Sequence, residues 1–248
     1  MSYFKKILLI FAVIAVGGYL VAAATLLNRR PADQKCTGLE FLPRDTAFAG
    51  FISQREVESL LKSEGLYPVG KPLSDVRTAE MERVLDSHPL VDRVECYVTL
   101  AGRVCVEVFQ RVPVLRVFPT GGDSYCVDNK GTAMPSSVRC SARLPIATGD
   151  VEKSFAARDL CKFALFLQQN PFWEAQVEQI HVLPKGDVEL VPRVGNHVVY
   201  LGRLDGYEHK LARLKEFYEK GLSRVGWDKY SRISVEFDNQ VICTKRRP

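Results

Sequence analysis

Ile7 to Leu27 is an uncharged apolar run, and the chain after Arg29 reads as a water-soluble protein. At about 1.5 Å of rise per helical residue the run spans roughly 30 Å, the thickness of one bilayer core. A chain with one such segment near its start is expected to be a bitopic anchor carrying a cargo domain. A single helix encloses no path, which argues against a channel or transporter.

The run can also be read as a secretion signal. Lys5-Lys6 is a passable basic flank and Ala22-Ala23-Ala24 offers a small-residue cleavage site. Its length exceeds the usual signal core of about 7–15 residues, and apolar residues resume at Leu26-Leu27, which favours an uncleaved anchor. Charge leaves the orientation open: Lys5 and Lys6 face Arg29, Arg30 and Lys35 across the run, so the positive-inside rule nearly ties. Most of the net charge of +5 is juxtamembrane, which suits anionic head groups rather than a nucleic acid.

Two units are expected beyond a linker at residues 28–35. The first, residues 36–111, reads strand, helix, helix, strand, strand. Leu39–Leu42 is a strand candidate, and Phe48–Ile52 a further apolar patch. Ser53-Gln-Arg-Glu56 is a capping box opening a helix with Val57, Leu60 and Leu61 inward, and Gly65 marks its end. A second helix from Ser74-Asp75 turns Val76, Met81, Val84 and Leu85 inward and stops by His88, before Pro89. A hairpin follows through Ala101-Gly102-Arg103, with Leu100 opposite Val104. This register puts Cys96 and Cys105 on opposite faces of the sheet, where they cannot join.

The second unit, residues 112–248, continues with strands at Val114–Phe118, Ser124–Val127 and Leu144–Ala147. Asp128-Asn-Lys-Gly131 is a turn signature. A helix over 154–168 ends at Asn170-Pro171; Val177–Leu183 and Val188–Val191 form a hairpin; Val198–Leu201 adds a strand. Tyr207, Leu211, Leu214, Tyr218 and Leu222 recur at helical spacing, with Asp205 as the cap. Ile233, Val235 and Phe237 then alternate into an Asp238-Asn239 turn and a last strand, Gln240–Thr244. The fold class is α+β: a transmembrane helix, a small α+β unit, and a mostly antiparallel β-domain with packed helices.

Chemistry is not advertised. The seven cysteines lack metal-type spacing, the four histidines have no i, i+4 ligand, and nucleophile-elbow, phosphate-loop and acylation motifs are absent. Cys126 with Cys140 is an open disulfide pairing, while buried free thiols are the default reading. No catalytic, cofactor or metal residues are assigned; an anchored envelope enzyme using a Cys/His pair is the alternative. The closing strand is more informative. Val241, Ile242 and Cys243 follow one another on an edge without Lys or Pro before Lys245. Such an edge is covered internally, prone to aggregate, or a docking site for a peptide strand.

The order of these features resembles the FtsQ/DivIB bitopic cell-division proteins, in a Bacteroidetes-type version. The first unit resembles a POTRA domain, including His88-Pro-Leu-Val-Asp-Arg-Val94 before its hairpin. Glu107–Val114, Tyr125–Gly131, Leu144–Gly149, Tyr200–Arg203 and Arg232–Phe237 resemble landmarks of the β-domain. The resemblance implies a non-enzymatic scaffold in the cytoplasmic (inner) membrane, with residues 1–6 cytoplasmic, an anchor at 7–27 and the rest in the periplasm. Implied partners are small bitopic coiled-coil proteins of the FtsB/DivIC and FtsL type, through which septal peptidoglycan synthesis is regulated. No nucleic acid or small-molecule substrate is implied. By position, the partner-binding residues are Phe237, Asn239, Gln240, Val241, Ile242, Cys243, Thr244 and Lys245. Lys245 departs from the tryptophan that some members carry there.

Overall fold

The computed structural model describes residues 13–23, 34–44, 52–135 and 144–247. Residues 13–23 are helical, with Val13, Ile14, Val16, Tyr19, Leu20 and Val21 each more than half exposed. No helix among the described residues is long and apolar enough to cross a membrane. Residues 7–12 and 24–27 of the expected anchor, and 48–51 of the apolar patch, lie outside the described residues.

A three-stranded sheet ordered β1-β3-β2 forms the first body, from β1 (Gly38–Pro43), β2 (Val91–Val98) and β3 (Arg103–Gln110). Helix α1 (Gln54–Ser63) starts at the capping box: Ser53 Oγ accepts from the Glu56 amide, and Glu56 returns the bond to the Ser53 amide. Its end is fixed by Gly65 at φ 69°, the left-handed geometry that glycine adopts without a Cβ penalty. Helix α2 (Thr78–Asp86) starts later than expected, because Leu73–Asp75 close a separate 3-10 turn and Val76 is extended. Val57, Leu61, Met81 and Leu85 are fully buried against Val104, Val106 and Val108. Val84 is only half-buried.

The β2–β3 register differs by two residues from the expected one. Val98 pairs with Val104 and Cys96 with Val106, leaving Leu100 at the turn tip, 88 % exposed. Thr99 makes the difference: its amide donates to Arg103 O and its carbonyl accepts from Gly102 N, building a longer turn. A shift of two keeps side-chain parity. Cys96 and Cys105 therefore remain on opposite faces, and both are free.

The second body is a nine-stranded sheet ordered β12-β11-β10-β9-β8-β7-β4-β5-β6. Its strands are β4 (Pro113–Pro119), β5 (Tyr125–Asp128), β6 (Ala133–Pro135), β7 (Ile146–Gly149), β8 (Val177–Val182), β9 (Val188–Pro192), β10 (Val198–Gly202), β11 (Tyr230–Ser234) and β12 (Ile242–Lys245). Most neighbours are antiparallel, but β4–β7, β7–β8 and β10–β11 are parallel. Parallel neighbours need a crossover, and the helices supply two of them. Helix α3 (Lys153–Phe155, a π-turn Ala156–Leu160, then Cys161–Gln169) and α4 (Pro171–Gln176) join β7 to β8. Helix α5 (Tyr207–Phe217, continued by a π-turn Tyr218–Leu222 and Ser223–Val225) joins β10 to β11.

Both helical segments pack on one face of the sheet. Leu160, Phe163, Leu167, Leu211, Leu214 and Leu222 are buried against Ile180, Leu190, Leu201 and Ile233. Tyr207 meets Phe163 and Phe166 edge-on at 5.0 and 5.1 Å. The opposite face is mixed: Glu189 pairs with Arg232 at 2.9 Å and Thr148 bonds His181 at 2.9 Å, while Cys126 and Met134 are buried there under Leu90. Asp205 does not cap α5. Gly206 holds that place and Asp205 instead accepts from Lys210.

The cysteines divide. Cys126 is disulfide-bonded, which corrects the default of free thiols; Cys140 lies outside the described residues. Cys36, Cys96, Cys105, Cys161 and Cys243 are free.

Candidate partner-docking edge

A sheet of nine strands has two edges, and they are finished differently. Strand β6 is three residues long and ends in Pro135. Short length and proline both blunt an edge. Strand β12, at the other end, holds Ile-Cys-Thr-Lys with no proline. The edge of the small sheet at β2 is also covered in part, because Glu82 Oε1 reaches from α2 and accepts from the Cys96 amide at 2.7 Å.

Which groups of β12 face outward follows from the ladder. The Val235 amide donates to Tyr200 O on the β10 side, so Ser234 turns its backbone toward β12, where it sits opposite Ile242. The Arg246 amide donates to Lys229 O, and Ser231 Oγ reaches Thr244 O from the β11 side. Alternation then directs the backbone of Ile242 and Thr244 inward. The N–H and C=O groups of Cys243 and Lys245 point to the free edge.

The expected site residues lie together on this hairpin, in a different conformation from the expected one. Strand β11 ends at Ser234, and pairing resumes only at Ile242, so residues 235–241 form a loop rather than a two-residue turn. The reason lies on α5. Arg213 Nη2 donates to the carbonyls of Val235 and Phe237 at 2.9 and 3.0 Å, drawing that segment toward the helix. Asn239 turns the chain at φ 64°, a left-handed geometry that asparagine tolerates better than most residues. Gln240 and Val241 thus precede the strand, and Val241 and Cys243 pack against the core. Phe237 and Ile242 are 51 % and 48 % exposed, a high value for large apolar groups. A groove of about 400 Å³ lies between α5 and the loop, lined by Arg213, Phe217, Lys220, Asn239, Gln240 and Val241. Arg213 and Glu82 carry no sequence signal, since both are ordinary charged positions on amphipathic helices.

Three of the free thiols are shifted away from the thiolate form. Burial, with Glu82 and Asp86 nearby, pushes Cys96 up to about 12, and burial also raises Cys161 and Cys243. A reactive thiolate needs the opposite shift. His197 is buried, shares a 2.9 Å hydrogen bond with the Tyr218 hydroxyl, and is pushed below the usual histidine range by burial and by Arg246. Trp173 is buried beside Phe172, as a core anchor should be.

Comparison with known families places both bodies. Residues 34–109 match the POTRA-like domain, in agreement with the α+β order of strands and helices there. Comparison with curated proteins gives no match. Residues 112–244, more than half of the chain and the whole nine-stranded sheet up to Thr244, match the profile described as FtsQ/DivIB, C-terminal related, so the chain belongs to the FtsQ/DivIB family.

Proposed function

We propose that this protein is a non-enzymatic, membrane-anchored scaffold of the division machinery, and that it recruits a partner by accepting a β-strand at β12. The observation that carries the reading is the open edge at Cys243 and Lys245, flanked by exposed Phe237 and Ile242. Main-chain hydrogen bonds would supply affinity, and side chains alternating across the edge would choose the partner. Membership of the FtsQ/DivIB family directs the choice of partner to small bitopic coiled-coil proteins of the FtsB/DivIC and FtsL type, and the output to septal peptidoglycan synthesis.

The anchor is residues 7–27, with 28–35 as linker, 36–111 and 112–248 as the two units, and residues beyond the anchor outside the cytoplasmic membrane. Support comes from the exposed apolar side chains of residues 13–23, which suit lipid better than water. The disulfide at Cys126 fits a compartment outside the reducing cytoplasm.

Lys245→Pro tests the docking mode. The substitution removes an outward amide from the edge, and the side chain it replaces is exposed. Partner binding should be lost while circular dichroism and melting temperature stay near the parent. A folded Lys245→Pro protein that binds as tightly as the parent places the docking surface elsewhere.

A further inference from the structure

We propose that Arg213 and Arg246 are positioning residues, two guanidinium clamps that hold the ends of the β11–β12 hairpin so that the docking strand is ordered before a partner arrives. This rests on the docking reading above and adds to it a mechanism of pre-organisation.

Strand β12 is four residues long, has one neighbour among the described strands, and follows the seven-residue loop 235–241, whose Asp238 and Asn239 are exposed. A pairing of this length is marginal by itself. Something else must hold it. At the loop end, Arg213 is rooted in the core by its neighbours Leu211 and Leu214, both fully buried. From there its Nη2 donates to Val235 O and Phe237 O, and its Nη1 to Asp238 Oδ1 at 3.2 Å. At the other end, the Arg246 amide donates to Lys229 O at 3.1 Å. Its Nε donates to Asp228 O at 3.3 Å and its Nη2 to Asn196 O. Asn196 and Asp228 are the chain neighbours of His197 and Trp227, whose rings pack with Tyr218 at 5.6 and 4.9 Å. Each clamp therefore ties a surface segment to a buried platform.

Arginine fits this role because its planar fork carries five donors in fixed directions, whereas an ammonium is a compact charge. Bonds to backbone carbonyls also engage donors that would otherwise face a partner's carboxylate. If the free hairpin is ordered only a fraction of the time, apparent affinity falls by that same fraction.

The test uses the full-length protein in nanodiscs, with the purified extracytoplasmic segment of the FtsB/DivIC-type protein from the same organism as probe. Arg213→Gln and Arg246→Gln are made separately, with Arg213→Lys and Lys245→Pro alongside. Amide exchange in residues 238–246 should accelerate about tenfold or more in the free glutamine variants, with β8 and β9 unchanged, and recover in the complex. The ordered fraction of each free variant is read from its exchange, dissociation constants should rise as the reciprocal of that fraction, and Arg213→Lys should recover only part of the loss. Weakened binding with unchanged hairpin exchange would mean that the arginines touch the partner directly, and parent-like affinity in a variant whose exchange shows a mostly open hairpin would mean that order is not required. Either result overturns the clamps. Parent-like binding by Lys245→Pro instead overturns the docking reading itself.

Discussion

Leu85→Ala should open the small α+β unit and leave the nine-stranded sheet closed. Leu85 is fully buried on α2, in one cluster with Val57, Leu61, Met81, Val94 and Val106. Truncation to alanine at such a site costs about 2–5 kcal/mol, combining lost transfer free energy with the cavity left behind. The free cysteines report where that cost is felt. Cys36, Cys96 and Cys105 are buried in or on the small sheet, and Cys161 is buried beneath the large one. Alkylation of Cys96 requires opening, because the thiol is both buried and pushed up to about 12. Each 1.4 kcal/mol is tenfold in an opening equilibrium, so alkylation of Cys96 should accelerate roughly 30- to 4,000-fold when reclosing is fast. Isotope-coded alkylation with peptide mass spectrometry reads every cysteine in one experiment. Equal acceleration at Cys161 would show that the two bodies open as one, and an unchanged rate at Cys96 would show that Leu85 does not support this core.

Three further outcomes are expected. Asp128, fully buried, accepts from Arg111 at 2.7 Å and from the amides of Lys130 and Thr132. Asp128→Asn, which uncouples a buried pair, should lower stability in urea by roughly 3–5 kcal/mol, against about 0–1 kcal/mol for Lys130→Ala at the exposed end. Gly131 has φ +83°, and a Cβ there would lie 2.2 Å from the Ala157 carbonyl oxygen. Gly131→Ala should therefore lower the melting temperature more than Gly186→Ala, where a Cβ meets open space at a similar φ. His197 is depressed by burial and by Arg246, partly opposed by Asp228. Its contribution to stability is thus present above the unfolded value near 6.5 and lost as pH falls below it, until the folded group is protonated. Melting curves from pH 7.5 to 5 should show a slope that His197→Gln flattens; identical slopes would refute this.

What could be read from the sequence was set by local rules with few solutions. Ser53 and Glu56 specify a helix start because each side chain satisfies the other's amide, and Leu85 is inward because its neighbours repeat at helical spacing. The misses share a physical origin in contacts distant along the chain or in short elements. Helix α4 was hidden by Pro171, which ends α3 and also occupies the first turn of the next helix. Strand β6, Ala-Met-Pro, is too short to show a period. The β2–β3 register turned on one threonine. At the β12 edge, Phe237 and residues 239–245 share one hairpin, as their sequence position implied. Its loop was not legible, because Arg213 enters from 22 residues before Val235 and bonds carbonyls that every residue has.

The position of β12 bears on how a scaffold could hold several partners. The small sheet joins the large one at β4, and the joint is latched. Lys130 Nζ bonds both oxygens of Asp92 at 2.7 Å, Arg111 reaches Asp128, and Leu90 packs on Cys126 and Met134. Five strands separate β4 from β12 in the sheet order. At about 4.8 Å per strand spacing the β12 edge stands roughly 29 Å from that joint. This is several times the screening length of about 8 Å at physiological salt, so charge brought by a strand at β12 is not felt at Asp92 or Arg111. A partner at β12 should leave the β4–β6 end and the small unit free for other contacts. Amide exchange of the complex should therefore show protection confined to β10, β11, β12 and the 235–241 loop, with β2 and β5 unchanged. Protection that spreads to β2 or to residues 125–135 would mean that the sheet transmits binding, and that the two ends are not independent surfaces.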